Sequence, residues 1–281
     1  MTMQSTAKQH DYHIVDPSPW PLVLAVSLFV LSVGAVLTMT DIRMGEFAPG
    51  PYVLGVGVIG LLGALSVWWI DVIREGQRGA HTRVVALHHR YGMILFIITE
   101  VMFFVAWFWA FFDASLFPGE AIQFERVEAT GGQWPPAGIE TFDPWHLPLF
   151  NTLVLLTSGT MVTLAYEALL KGDRRGIKLG LWATLVLAAL FIVVQAYEYS
   201  HATFAFSGNI YGSTFFMTTG VHGVHVIVGT VFLAICLLRV YLGHFTAERH
   251  LGFELAAWYW HFVDVVWLFL FAAIYVWGAG G

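Results

Sequence analysis

The residues of this sequence that could do chemistry sit where chemistry is least expected, inside long apolar runs. Glu100 stands in FIITEVMFFVAWFW, nine residues into a run that opens near Tyr91, which is ~13 Å along a helix at 1.5 Å per residue. An ionisable group at such depth in hydrocarbon is costly and marks a functional position by default. It can relay a proton, bind a cation or hydrogen-bond across helices. His222 and His225, in GVHGVHVIVG, lie three apart and share one helix face, as do His261 and Asp264 in WHFVD. Imidazoles so placed could ligate a metal or a haem iron. A di-iron bundle needs Glu-x-x-His pairs projecting inward, and neither pair has that form. The small residues around His222 and His225 suit close helix packing with imidazoles bonding across it, so buried polar packing is preferred to ligation. Asp71, Glu167, Glu198 and Glu254 fall within a turn or two of the ends of apolar runs and read as solvated or paired end-groups. No lysine occurs in the interior of an apolar run, Lys178 standing at the edge of one, which removes a retinal Schiff base.

The elements that position these groups follow from composition. Of 281 residues, 58% are apolar, 16% aromatic and only 11% charged, with a net charge of −6. A soluble domain carries ~25% charged residues. A soluble enzyme, a disordered chain and a nucleic-acid binder are thereby excluded. The single cysteine, Cys236, lies in an apolar run, leaving no disulfide framework. The first twenty or so residues are polar and lack a signal peptide's apolar core, so insertion without a cleaved leader is expected.

Seven stretches reach the ~20 apolar residues that cross a bilayer core: 22–39, 52–73, 91–112, 147–170, 177–200, 212–241 and 255–278. The expected fold is all-α and integral to the membrane. Alternate connecting segments hold eleven of the thirteen lysines and arginines, and the other side holds only Arg43 and Arg126. Positive loops stay inside, which places the N-terminus in the cytoplasm or matrix and the C-terminus outside. The organisation is then an N-terminal tail (1–21), a two-helix bundle (22–73), a basic inner loop (74–90) and a five-helix bundle (91–278) with an acidic outer loop (113–146). All ten prolines lie at span ends or in loops. Transporter sites commonly use broken helices, so the pattern suits a rigid bundle.

Four strings are more specific than any spacing: HHRYGMILFIITEVMFFVAWFWAFF (88–112), WPPAGIETFDPWHLPLFNTLVLLTSG (134–159), YGSTFFMTTGVHGVHVIVGTVFL (211–233) and GFELAAWYWHFVDVVWLFLF (252–271). With WWIDVIREG (68–76) and QAYEYSHATFAFSGNIYG (195–212), they resemble subunit III of cytochrome c oxidase, in one order and without large gaps. The resemblance implies seven helices in two groups, the first two against the other five, splayed into a V whose cleft holds phospholipid. It implies a redox-inert subunit of a proton-pumping aa3-type oxidase in an aerobic respiratory chain. No cofactor is expected in this chain, and haem and copper belong to partner subunits. The expected partners are subunit I by direct contact, subunit II, small subunits and phospholipid, with cytochrome c near the acidic outer loops.

Residue by residue, Glu100 matches the family's intramembrane carboxyl, known there for reacting with a hydrophobic carbodiimide. Trp69, Glu75, His81, Arg239, His244 and Phe245 match positions lining a lipid head-group pocket at the inner mouth of the cleft. An arginine ending a span on the inner side can pair with a phosphate in any case. Glu198, His222, His225 and His261 match motif positions without a ligand. His10 and His13 of the tail, which titrate near neutrality, are weaker candidates for a proton-collecting surface. Catalytic and metal-binding residues are expected to be absent. The alternatives are subunit III of a quinol oxidase, whose family members lack the first two helices, a proton-coupled transporter using Glu100, and a haem-bearing membrane cytochrome. A bacterial cytoplasmic membrane is the expected location, with the mitochondrial inner membrane as the alternative.

Overall fold

The computed structural model of the chain describes residues 12, 17–120 and 124–280. Helices α1 (Trp20–Met39), α2 (Gly50–Gln77), α3 (Arg83–Leu116), α4 (Phe124–Thr130), α5 (Leu147–Leu170), α6 (Arg174–Ser200), α7 (Ile210–Tyr241) and α8 (Leu251–Leu270) follow in order, and α8 runs on into a π-helical turn, Phe271–Trp277. Seven of them are long and apolar enough to cross a membrane, α8 counted with its π-helical end. An all-helical spanning fold satisfies every backbone N–H and C=O internally, which hydrocarbon requires. The chain divides into two compact units, Met1–His89 and Arg90–Gly281, each described by itself.

In the first unit α1 and α2 form an antiparallel hairpin. Glycines let the two backbones touch: a Cβ on Gly34 would collide with the backbone of Leu54, and one on Gly57 with Leu31. Gly60 faces Ser27, while Gly63 faces open space. The small-residue row read from 57, 60 and 63 therefore packs at two of its three positions. Pro21 and Pro51 stand in the first turns of α1 and α2, where the missing N–H is no loss.

In the second unit α5 and α6 pair antiparallel, Ser158 opposite Thr184 and Ala165 opposite Gly180. α7 and α8 do the same, His222 opposite Val263 and Gly229 opposite Trp260. α8 with its π-helical end is the most buried span, and Phe253, Trp260 and Trp267 on α8 and Tyr275 on the π-helical turn are nearly inaccessible. The two indole N–H groups are satisfied by α5: Trp260 Nε1 donates to Ser158 Oγ at 3.0 Å and Trp267 Nε1 to Thr152 Oγ1 at 2.9 Å. Asp173 caps α6 by accepting from the Arg175 N–H at 3.0 Å, and Asn209 caps α7 through the Gly212 N–H.

Three local expectations are corrected. The basic segment 74–90 is helical apart from 78–82, because α2 continues to Gln77 and α3 starts at Arg83. Counting apolar residues measures the bilayer, and Arg, Glu and Gln are good helix formers beyond it. The segment 113–146 carries the short α4, tied back where Arg126 pairs with Asp113 and Thr130 Oγ1 donates to Pro118 O at 3.0 Å. The end of the last span is π-helical instead of α-helical, a distinction invisible to hydropathy.

Candidate functional site

Glu100 lies at the middle of α3, where its Oε2 meets His225 Nε2 of α7 at 2.8 Å. The other ring nitrogen of His225 bonds Val221 O, one turn back, at 2.7 Å. Both side chains are mostly buried, 21% and 12% exposed, and the imidazole packs on Phe104 at 4.9 Å between ring centres. His222, one turn before His225, instead crosses to α8, with Nε2 3.1 Å from Val263 O and its ring 5.1 Å from that of Trp267. The two histidines of one motif thus serve two neighbouring helices.

A second buried group closes the C-terminal end of α6. Glu198 Oε1 accepts from Tyr275 Oη at 2.6 Å and from Gln195 Nε2 at 3.1 Å, and Gln195 Nε2 also reaches Tyr275 Oη at 3.2 Å. Asn151 of α5 joins through Gln195 Oε1 at 3.4 Å. Glu198 is 2% exposed, so it is a paired buried carboxyl despite its place near a helix end. Asn151, Gln195 and Tyr275 escaped the sequence reading, since uncharged residues carry no signal until a partner is known.

The third group lies where α7 gives way to α8. The Arg239 guanidinium stacks 4.3 Å above the Phe245 ring, a cation on an aromatic face. Gly252 is bare on that side, and a Cβ there would press on Arg239 Nη1. Arg239 Nε and the Nδ1 atoms of His244 and His250 are buried without a hydrogen-bond partner. No carboxylate pairs with Arg239 among the described residues. A buried guanidinium N–H without an acceptor fits an anion better than a cation. His250, the loop histidine before α8, was not singled out by the sequence.

In the first unit a cavity of about 660 Å³ is lined by Trp20, Trp68, Asp71, Arg74, Glu75, Arg78, His81, His88 and His89, among others. Glu75 and His81 line it, but Trp69 does not; it is 52% exposed, and its neighbour Trp68 faces the cavity. Successive helical residues point ~100° apart, so a one-residue ambiguity in a Trp-Trp pair changes the face. Trp20 Nε1 donates to Asp71 Oδ2 at 2.8 Å, and Arg74 Nη1 to Asp71 Oδ1 at 3.2 Å.

His261 and Asp264 come together near the middle of α8, with Nδ1 3.3 Å from Oδ2. His10 and His13 lie outside the described residues. Among the described residues no three histidine, cysteine or acidic side chains gather into a set that could hold a metal ion. Outside the spans, the Trp145 N–H donates to Asp143 at 2.9 Å and holds that carboxyl below its ordinary range, with His146 adding a further bond at 2.6 Å.

Comparison with known proteins places these groups in a family. Residues 10–279 match the family described as "Cytochrome c oxidase subunit III". "Cytochrome c oxidase subunit 3" of Arabidopsis thaliana is 52% identical over 273 residues, covering 97% of this chain and 98% of the relative. The protein of that name from Prototheca wickerhamii is 49% identical over 272 residues, covering 96% and 99%, and that from Danio rerio is 48% identical over 271 residues, covering 96% and 98%. A seven-span helical chain matched along nearly its whole length belongs to the cytochrome c oxidase subunit III family, and so to a membrane complex with other oxidase subunits.

Proposed function

We propose that this chain is the redox-inert third core subunit of an aa3-type, proton-pumping cytochrome c oxidase. In this reading it steadies the catalytic subunit I, holds structural phospholipid and sustains proton uptake. Haem and copper reside in the partner subunits, subunit II lies within the same complex, and this chain takes no part in electron transfer. Relatives named for cytochrome c, together with the presence of α1 and α2, favour cytochrome c over quinol as the electron donor. The acidic residues of 113–146, among them Glu120, Glu125, Glu128 and Asp143, suit a basic soluble partner on the outer side.

The observation that carries the lipid role is Arg239 on Phe245, with its buried Nε lacking an acceptor. A phosphate diester supplies the oxygen atom this donor lacks and brings the charge Arg239 is missing. Glu75 and His81 of the first unit, with the exposed Trp69, are taken as further lipid contacts there. The charge asymmetry favours an inner-side position for this end of α7 and for the tail with His10 and His13. The relatives come from plants, algae and a fish, which favours the mitochondrial inner membrane over the bacterial cytoplasmic membrane expected from the sequence.

The test is removal of the chain from the assembled oxidase. The metal centres are expected to keep their absorbance spectra, while turnover falls most at high pH, where protons are scarce at the inner surface. Loss of a haem or copper signal with the chain would overturn the redox-inert reading.

A further inference from the structure

The polar group around Glu198 can be followed hydrogen by hydrogen. Asn151, Gln195, Glu198 and Tyr275 are 0%, 7%, 2% and 2% exposed, so bulk water does not complete their bonding. Tyr275 brings one donor hydrogen and each carboxamide two. The Tyr275 hydroxyl donates to Glu198 Oε1 at 2.6 Å. Gln195 Nε2 donates to the same oxygen at 3.1 Å and to Tyr275 Oη at 3.2 Å. Asn151 Nδ2 donates to Phe191 O at 3.3 Å and to Gln195 Oε1 at 3.4 Å. Every donor hydrogen is spent. Two oxygens, Glu198 Oε2 and Asn151 Oδ1, are still buried without a partner among the described residues. Turning a carboxamide over does not help: the Asn151 oxygen would then meet Phe191 O, and the Gln195 oxygen would meet Glu198 Oε1.

Whatever completes these bonds must serve two oxygens on two helices, α5 and α6. An ionised Glu198 leaves two acceptors that need two donors. A protonated one turns Oε2 into a donor and leaves Asn151 Oδ1 as an acceptor. A water molecule meets either case, donating twice in the first, and accepting once and donating once in the second. A cation meets only the first, and an anion meets neither. Buried waters in proteins sit on two to four polar groups of this kind. The route to bulk water is short, because α6 ends at Ser200 and His201 beyond it is exposed.

We propose that one structural water molecule binds between Glu198 Oε2 and Asn151 Oδ1, joining α5 to α6 beside the π-helical turn that carries Tyr275. Tyr275 then closes one side of the carboxyl and the water the other, so three spans meet on a single side chain. X-ray footprinting of the purified, intact oxidase reads such a site, because hydroxyl radicals made from a bound water oxidise the side chain beside it. Tyr275 is expected to gain oxygen several-fold faster than Trp260, which is 0% exposed and has its N–H on Ser158. Asn151→Leu removes one anchor and fills its space, and should bring Tyr275 down to the rate of Trp260. Equal rates for Tyr275 and Trp260 in the parent, or an unchanged Tyr275 rate in the variant, would overturn the proposal. A density map of the parent that resolves ordered water decides without any variant. A peak ~2.8 Å from both oxygens supports the site. No peak, the two oxygens in direct contact, or a peak ringed by oxygens as a cation is, would overturn it.

Discussion

The Glu100 carboxyl on α3 and the His225 imidazole on α7 form a direct 2.8 Å hydrogen bond between residues 125 positions apart. It ties two long spans at mid-depth, where a bond has no water to compete with it. Each group answers the other's desolvation cost, and His225 Nδ1 is already committed to Val221 O. The pair has the properties of a tether.

Glu100→Gln keeps the shape and the hydrogen-bonding capacity facing His225, so proton-pumping stoichiometry in reconstituted vesicles should stay near that of the parent. Glu100→Leu strands His225 Nε2 and should cost ~1–3 kcal/mol of stability, visible as earlier thermal loss of the subunit. Intact electron transfer with pumping abolished in Glu100→Gln would revive a proton-channel role.

Arg239→Ala removes the one charge over Phe245. Native mass spectrometry should then find fewer bound phospholipids and weaker retention of the subunit. Arg239→Lys should recover only part of the loss, since an ammonium lacks the planar fork of guanidinium. An unchanged lipid count in both variants would sink the assignment.

Tyr275→Phe deletes the shortest bond to Glu198, 2.6 Å, and leaves Gln195 as its remaining donor. With the carboxyl still buried, the expected cost is ~1–3 kcal/mol. Replacing Glu198 with Gln in the same background should cost less than the sum of the two single changes, because the partners are coupled. Thermal melting of the purified oxidase measures both.

Gly34→Val drives a side chain into the Leu54 backbone, whereas Gly63→Ala meets open space. The first should splay α1 from α2 and raise protease sensitivity in the 40–49 connection. The second should be neutral or slightly stabilising, since alanine is the better helix former. Equal behaviour of the two variants would show that the hairpin is not held by close glycine contact.

The spans were legible in the sequence because hydrocarbon imposes a length and a composition on every residue that meets it. Helical ends were less so. Arg74, Glu75 and Arg83 look like loop residues by charge, yet each sits in a helix that outruns the apolar stretch. Glu100, His222, His225, Glu198, His261 and Asp264 could all be picked out, as ionisable groups in apolar surroundings stand out singly. Their pairings could not. Nothing in the spacing of GVHGVHV says that one imidazole reaches α3 and the other α8. Tyr275, Gln195 and His250 stayed hidden for the same reason, because their significance comes from partners brought together only by tertiary packing.

The π-helical turn at Phe271–Trp277 makes chain length itself a determinant of the Glu198 contact. Each π turn takes in more residues than an α turn, since its bonds run from i to i+5. Losing one residue between 271 and 274 would let the helix relax to α geometry with its backbone bonds intact, and since an α turn takes fewer residues, the face carrying Tyr275 would be largely kept. The same loss before Leu270 would turn that face by ~100° and take Tyr275 off Glu198. The position at which a residue is lost therefore decides whether α6 stays coupled to the end of α8.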